Sequence, residues 1–147
     1  MVSHLVVRET MAYVRQRITI ISIRKPDAVN INSELQWLAS SLGLINLRDK
    51  DKSCFRIFIE LLKSAKQQHA LSSDELAHSL ELSRGTVVHH LNKLMESGLV
   101  VNEHSRYVLR VSTLHSLVDE IERDFKRTCD EIRESAREVD KRIGLLK

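Results

Sequence analysis

The chain has 147 residues, of which 42% are hydrophobic, 29% charged and 4% aromatic. One Pro and four Gly are too few for a disordered segment or for a turn-rich β-sandwich. No apolar run reaches the roughly 18 residues of a transmembrane helix, and the first ten residues lack the apolar core of a signal peptide. The composition therefore predicts a cytoplasmic globular protein with one main domain and no membrane association.

The net charge of +3 is unevenly distributed. Residues 1–30 hold five basic against two acidic side chains, residues 31–113 ten against nine, and residues 114–147 eight against nine. This weak basic excess, concentrated near the N-terminus, permits nucleic-acid binding without requiring it.

The sequence gives no sign of catalytic or metal chemistry. It has no Gly-rich phosphate loop and no nucleophile motif, so we expect neither an enzyme nor a bound cofactor. Cys54 and Cys129 lie far apart, outside any paired metal-ligand spacing, and are expected to be reduced packing residues. His115 and Asp119 stand four residues apart on one helix face without a second His, which predicts a surface ion pair.

The first thirty residues are predicted to form an N-terminal strand or arm. Residues 17–24 are rich in β-branched side chains and end before Pro26, which predicts a strand. Residues 4–16 fit a paired strand, a short helix or an arm equally well. A short helix should follow, with Asn32 or Ser33 as its N-cap and Gly43 as its left-handed end.

Residues 31–111 have the element order of a winged helix-turn-helix. A broadly apolar helix over 53–65, capped by Asp51, precedes a helix over 73–80 that begins with a capping-box spacing of Ser72 and Glu75. Ser83 caps a third helix over 83–97, and Gly98 ends it. Two strands joined by a polar turn at 102–106 complete the pattern. The predicted fold class is mainly α with a small β-wing.

Residues 112–147 are predicted to form one long helix, capped by Ser112 or Thr113. One apolar stripe on a solitary helix needs a partner, either a second copy or the same chain. For the first alternative, the expected dimer interface consists of Leu114, Val118, Ile121, Phe125, Ile132 and Val139.

The helix over 83–97 is placed to read a major groove, because a capped helix after a tight turn projects its first residues outward. The candidate nucleic-acid-binding residues are Ser83, Arg84, Gly85, Thr86, His89, His90 and Lys93 on this helix, with His104, Ser105 and Arg106 in the wing turn. His90 also fits a structural role at the helix surface.

The stretch "LSSDELAHSLELSRGTVVHHLNKLMESGLVV" resembles the winged helix of archaeal and bacterial ArsR-like transcription regulators. It matches their pattern S-x-x-T-V-x-x-H-L-x-x-L-x-x-x-G-L-V, and the likeness extends over roughly residues 31–111. The resemblance implies double-stranded DNA as the partner of the helix over 83–97. The metal-sensing members carry a Cys pair in the helix before it, where this chain has "DELAHSL", so metal sensing is not expected.

The resulting hypothesis is a homodimeric DNA-binding transcription regulator. Two alternatives stay open at this point. A winged helix can dock on structured RNA or the ribosome, with the basic residues Arg15, Arg17, Arg24 and Lys25 as the contact. Alternatively, the C-terminal helix is the seam of a hetero-oligomer and the wing is unused.

Overall fold

The computed structural model describes residues 14–27 and 30–146, which divide into two units, 1–110 and 111–147. The first unit is a winged helix and the second is one long helix, so the predicted fold class is confirmed. The elements are α1 (Ile31–Ser41), α2 (Ser53–Lys66), α3 (Ser73–Leu80), α4 (Arg84–Glu96), β1 (Val100–Glu103), β2 (Arg106–Leu109) and α5 (Leu114–Arg142).

Helix α2 is the centre of the first unit. Its side chains Ile57, Phe58 and Leu61 are fully buried, and the helix contacts α3, α4 and β2. Apolar residues from those neighbours close the same core, including Leu76 and Leu91. Burying a side chain of this size stabilises a fold by about 1.5–3 kcal/mol, so this cluster supplies much of the driving force that holds the three helices together.

The turn between α3 and α4 is short and well bonded. Ser72 caps α3 through the Glu75 amide at 3.1 Å, and Ser83 caps α4 through the Thr86 amide at 3.1 Å, as predicted. Between them, Glu81 adopts a left-handed conformation with φ of 55°. The Leu82 N–H donates to the Ala77 carbonyl, so the last turn of α3 closes before α4 begins.

The wing is a two-stranded antiparallel hairpin, as predicted, with Val100 opposite Leu109 and Glu103 opposite Arg106. Tyr107 also exchanges two backbone hydrogen bonds with Leu71, at 2.7 and 3.1 Å. The wing is therefore tied to the segment that enters α3 as well as to its own partner strand.

The strand predicted over residues 17–24 does not form; residues 14–26 run without regular structure. Among the described residues the only two strands pair with each other, so this segment has no neighbour with which to build a ladder. It is fixed to the winged helix by single bonds: the Arg17 N–H donates to Glu96 and the Ile21 N–H to Ser41. The β-branched composition indicated side chains suited to a sheet, but a strand also requires a partner.

Two predicted caps are wrong. The side chain of Asn30, rather than Asn32 or Ser33, caps α1 by accepting from the Ser33 amide at 2.9 Å. Asp49, rather than Asp51, serves the N-terminus of α2, because Lys52 turns into the left-handed region and brings an earlier carboxylate over the helix end. The predicted helix ends at Gly43 and Gly98 are correct in conformation, with φ of 75° and 85°.

The second unit consists of α5, a helix of 29 residues capped by Thr113, whose hydroxyl oxygen accepts from the Ser116 amide at 3.1 Å. Its charged residues pair mostly within the helix at spacings of three or four. Across the described ranges, each helix is too short or too polar to cross a membrane.

Substitution of Gly43 tests how tightly the N-terminal segment is held. An added Cβ would lie 2.7 Å from the Thr19 methyl group at a backbone φ of 75°. We expect Gly43→Ala to lower the free energy of unfolding by about 1–2 kcal/mol, measured by urea denaturation. Gly85→Ala is the control: no atom lies within 4 Å of its Cβ, so the fold should be unchanged or up to about 1 kcal/mol more stable. Equal losses in both variants would contradict this account.

Candidate nucleic-acid interface

Helix α4 exposes one polar face from its first turn onward. Arg84, Gly85, His89 and Lys93 are all exposed, and nothing lies within 4 Å of a Cβ placed on Gly85. A flat surface such as a nucleic-acid backbone can therefore approach this end of the helix closely.

Ser83 and Thr86 are largely occupied with each other. The Ser83 hydroxyl donates to the Thr86 hydroxyl oxygen at 2.8 Å and accepts from the Thr86 amide. Their placement fixes where α4 begins, so their first role is to set the position of the neighbouring Arg84.

The basic side chains on the exposed face of α4 differ in whether they form an ion pair. The Arg84 guanidinium lies 3.5 Å from the Asp74 carboxylate, with both side chains nearly three-quarters exposed. Such an exposed pair contributes little stability, and its members can exchange partners. Lys93 forms no ion pair within the described residues and projects beside His89.

A loop that the sequence did not indicate borders the exposed face of α4. The loop before α2 brings Asn46 and Arg48 alongside α4, so that an open groove lies between the loop and the residues Gly85, Thr86, His89 and Lys93. Arg48 is exposed, and its own amide is bound by the Asn46 side chain at 2.8 Å. No local pattern could have predicted this neighbour, because it depends on how the 42–52 loop folds over α4.

His90 is not on the exposed face, contrary to the prediction. The residue is only 9% exposed and lies among the buried residues of α4, with the edge of its ring against the exposed His89 ring at a centroid distance of 5.3 Å. Its Nε2 atom is 3.9 Å from Asp49 Oδ2, and its Nδ1 atom is buried without a hydrogen-bond partner in the described structure. The signal was in the sequence: His90 stands three residues after Val87 and four before Leu94, both fully internal.

The wing contributes less free charge than predicted. His104 and Ser105 are exposed at the tip in left-handed conformations, and the Asn102 side chain accepts from the Ser105 amide at 3.0 Å. The Arg106 side chain, however, turns away from the tip and towards α3. It donates to the Ala70 carbonyl at 3.0 Å and to Glu75 at 2.7 Å. The tip, rather than Arg106, is the part of the wing that is open to a partner.

The described part of the chain assembles no cluster of metal-ligating side chains. In residues 14–27 and 30–146, no three His, Cys, Asp or Glu side chains converge as metal ligands would. His115 and Asp119 are 3.4 Å apart on the surface of α5. Burial raises the pKa of the Cys54 thiol to about 11, so this cysteine stays protonated and unreactive near neutral pH.

The residues predicted for a dimer interface lie along α5. Val118, Phe125, Ile132 and Val139 are between 41% and 62% exposed, which is unusual for large apolar side chains at a regular seven-residue spacing. Ile121 is buried and Leu114 half-buried. The four exposed residues are called the α5 stripe below.

Comparison with known proteins finds a family model that matches part of the first unit. Residues 59–101, from the middle of α2 to the start of β1, match the family model described as bacterial regulatory protein, arsR family. The helix-turn-helix of this chain is thus similar to that of the arsR family over these residues. A search of curated proteins finds no match. Among solved structures, the chain is similar to MepR, a transcription regulator of the Staphylococcus aureus multidrug efflux pump MepA, at 19% identity and a TM-score of 0.40 over 80% of this chain and 94% of that one.

Within the winged helix, Arg106 is a side chain that ties the wing to α3. Burial works against ionisation of Glu75, but the Arg106 guanidinium outweighs it and lowers the pKa of this carboxyl below its usual 4.5. The pair is thus fully charged at neutral pH, and its contribution is lost only as the pH falls through that lowered pKa.

We expect Arg106→Ala to loosen the wing without unfolding the protein, because the guanidinium bonds are partly exposed while the buried core is untouched. The amide hydrogen of Tyr107, which is donated to the Leu71 carbonyl, should exchange with deuterium faster than in the unsubstituted protein. Arg123→Ala, which removes an ion pair of α5 instead, is the control and should leave the Tyr107 amide unchanged. Unaltered exchange in Arg106→Ala would show that the strand pairing alone holds the wing.

Proposed function

We propose that this protein is a homodimeric DNA-binding transcription regulator that reads the major groove with α4. The observation that supports it best is the exposed face of α4, where Arg84, His89 and Lys93 flank the open position of Gly85. The ArsR-type match over residues 59–101 points the same way.

The dimensions of the helix suit this role. A major groove about 12 Å wide admits one α-helix, and the first turns of that helix then contact the base edges. A tight turn precedes α4, and the residues at its N-terminal end, Ser83, Arg84 and Gly85, are exposed. Arg84 and His89 would meet bases or phosphates, and the amides of the first turn, which have no helical partners, would favour a phosphate.

The charge of this surface predicts moderate affinity. Lys93 and Arg48 line the groove between α4 and the loop, Arg84 is exposed at the start of α4, and Asp74 neutralises part of the Arg84 charge. Arg48 extends the basic surface beyond the recognition helix, where it would contact the phosphates that flank the groove. Most of the binding free energy should therefore come from a few phosphate contacts and weaken steeply with salt.

The rival RNA-docking function relies on the basic residues of the N-terminal segment, several of which have partners. Arg17 forms an ion pair with Glu96, and Lys25 lies 3.3 Å from Glu34 and 5.3 Å from the centre of the Trp37 ring. These pairs hold the segment against the winged helix and reduce the charge it would offer to RNA. The observations favour DNA.

A second copy is the proposed partner of the α5 stripe. The stripe repeats at seven residues, the spacing at which two helices keep one seam together. The charged residues beside it, such as Lys126 and Arg133, are paired with Asp130 of their own helix and do not need a foreign partner. A dimer would also place two α4 helices on one duplex, about 34 Å apart if they enter successive turns of the groove.

Removal of two cations from α4 tests the DNA interface. We expect Arg84→Ala with Lys93→Ala to weaken binding to genomic duplex fragments by at least about 100-fold and to flatten the slope of log K against log salt by about 2. Fluorescence anisotropy at several salt concentrations measures both. The control pair Arg123→Ala with Lys126→Ala removes the same charge from α5 and should leave the slope unchanged.

Two other outcomes would count against the proposal. If the control pair loses as much affinity as the α4 pair, binding depends on net charge alone. If immunoprecipitation from native lysate recovers ribosomal RNA without duplex fragments, the RNA-docking alternative is the correct one.

Introduction of a charge into the α5 stripe tests the dimer. We expect Phe125→Asp to convert the protein to a monomer at micromolar concentrations, because a buried unpaired carboxylate costs several kcal/mol at a helix seam. Ser116→Asp is the matched control: it adds the same charge at an exposed position on the opposite side of α5. Sedimentation equilibrium distinguishes the two, and a dimeric Phe125→Asp protein would remove the stripe from the interface.

A further inference from the structure

His90 is the polar residue that the winged helix buries on its recognition helix. It occupies a position between Val87 and Leu94 where an apolar side chain would fill the same space without any polar atom to satisfy. One ring nitrogen, Nδ1, has no hydrogen-bond partner in the described structure, and the other faces a carboxylate. A polar group in this position needs a reason beyond packing.

The carboxylate that His90 faces already has a structural task. Asp49 Oδ1 accepts from the Ser53 amide at 3.0 Å, and Oδ2 accepts from the Cys54 amide at 2.9 Å, so both oxygens cap the N-terminus of α2. Asn46 holds Asp49 in turn, because its side-chain oxygen accepts from the Asp49 amide at 3.1 Å. One side chain therefore connects the central helix, the 46–49 loop and the recognition helix.

We propose that Asp49 and His90 are positioning residues for the recognition helix, and that DNA binding requires the neutral imidazole of His90. While it is neutral, the His90 ring packs against the Asp49 carboxylate and keeps α4 in the position and rotation at which Arg84 and Lys93 are exposed. Protonation displaces the His90 ring from this position, so the affinity for DNA falls as the pH is lowered. This proposal rests on the DNA-binding function proposed above.

The tautomer follows from the geometry. A carboxylate 3.9 Å from Nε2 favours a proton on that atom, which leaves Nδ1 as a bare lone pair in its buried position. A second proton would have to go on Nδ1, where no acceptor is present among the described groups. The imidazolium would then carry a buried N–H without a partner as well as a buried charge.

The surroundings of His90 determine the direction of the effect. The titratable or charged groups that face it are Asp49 from the loop, Cys54 from α2, and His89 and Lys93 from α4, while Arg17 and Glu96 line the same cavity. Burial lowers the pKa of His90 below 6.5, and the attraction of Asp49 offsets only part of that shift, to which His89 and Lys93 add.

The pH window follows from the two shifts. Because the folded pKa of His90 is the lower one, the unfolded chain takes up the proton first, and stability falls as the pH drops below about 6.5. For Asp49, burial would raise the pKa, but the two amide bonds and the charge on His90 together lower it below 3.8. The Asp49 carboxylate is therefore charged near neutral pH, where it faces the neutral His90 ring.

The neighbouring histidine predicts the opposite response, which makes the test decisive. His89 is exposed on the reading face, where a positive charge on its ring would attract phosphate and strengthen binding. If binding weakens in acid, the buried ring controls it; if binding strengthens, the exposed ring does.

The experiment measures the dissociation constant of the full-length protein for a fluorescein-labelled mixed-sequence duplex at constant ionic strength, between about pH 5 and pH 7. We expect the unsubstituted protein to bind several-fold more weakly at the acidic end, because binding then requires the protonated fraction of His90 to lose its proton. His90→Gln keeps a neutral N–H donor and should abolish this loss. His89→Gln is the matched control and should retain it. A gain of affinity in acid, or a loss that disappears in His89→Gln but not in His90→Gln, would overturn the proposal.

A measurement on the free protein separates this proposal from the DNA-binding function. In ¹⁵N-labelled protein, the His90 ring should show the Nε2–H tautomer and titrate below pH 6.5, with the Arg84 and Lys93 amide shifts following at the same midpoint. A His90 pKa at or above 6.5, or amide shifts that ignore it, would refute the positioning role even if DNA is bound. If the protein binds no duplex at any pH but the shifts move together, the proposed function fails and the positioning pair stands.

Discussion

The arrangement of the winged helix depends on the burial of one face of α2. Ile57, Phe58 and Leu61 have no exposed surface, and α3, α4 and the second wing strand all pack against this helix. Since the free energy of that burial is shared by every neighbour, the position of α4 is set by its contact with α2. The polar groups at the two ends of this packed surface then refine the position.

Those polar groups are side chains that complete the ends of other helices. Asp49 covers the first amides of α2, and Arg56, from the next turn, donates at 2.7 Å to the carbonyl of Leu80 at the end of α3. Both bonds satisfy backbone groups that a helix end leaves unpaired. Helices α2 and α3 are thus joined at a helix terminus as well as through their apolar faces.

Much of the fold could be predicted because it is encoded by short-range signals. Ser72, Ser83 and Thr113 each cap the helix that begins at the next residue, and a capping side chain reaches only two or three residues ahead. The wing turn and the glycine ends of helices are local in the same way. The seven-residue spacing on α5 likewise identified side chains that the structure leaves exposed.

The failures came where a residue acts beyond that range. Asp49 reaches α2 across a left-handed Lys52, and Arg48 joins the α4 groove only because the loop folds back. The predicted strand over 17–24 needed a partner that no local pattern can supply. His90 is different: its spacing from Val87 and Leu94 places it inside, and the resemblance to a DNA-reading motif outweighed that periodicity.

The attachment of the N-terminal segment involves the only tryptophan of the chain. The indole N–H of Trp37 donates to the Ile23 carbonyl at 3.0 Å, and the Lys25 ammonium lies over its ring. Indole emission responds to hydrogen bonding and to nearby charge, so the intrinsic fluorescence of the unmodified protein reports whether this segment is docked. The tryptophan thus gives a spectroscopic signal for a segment that separate hydrogen bonds, rather than a continuous apolar surface, attach to the winged helix.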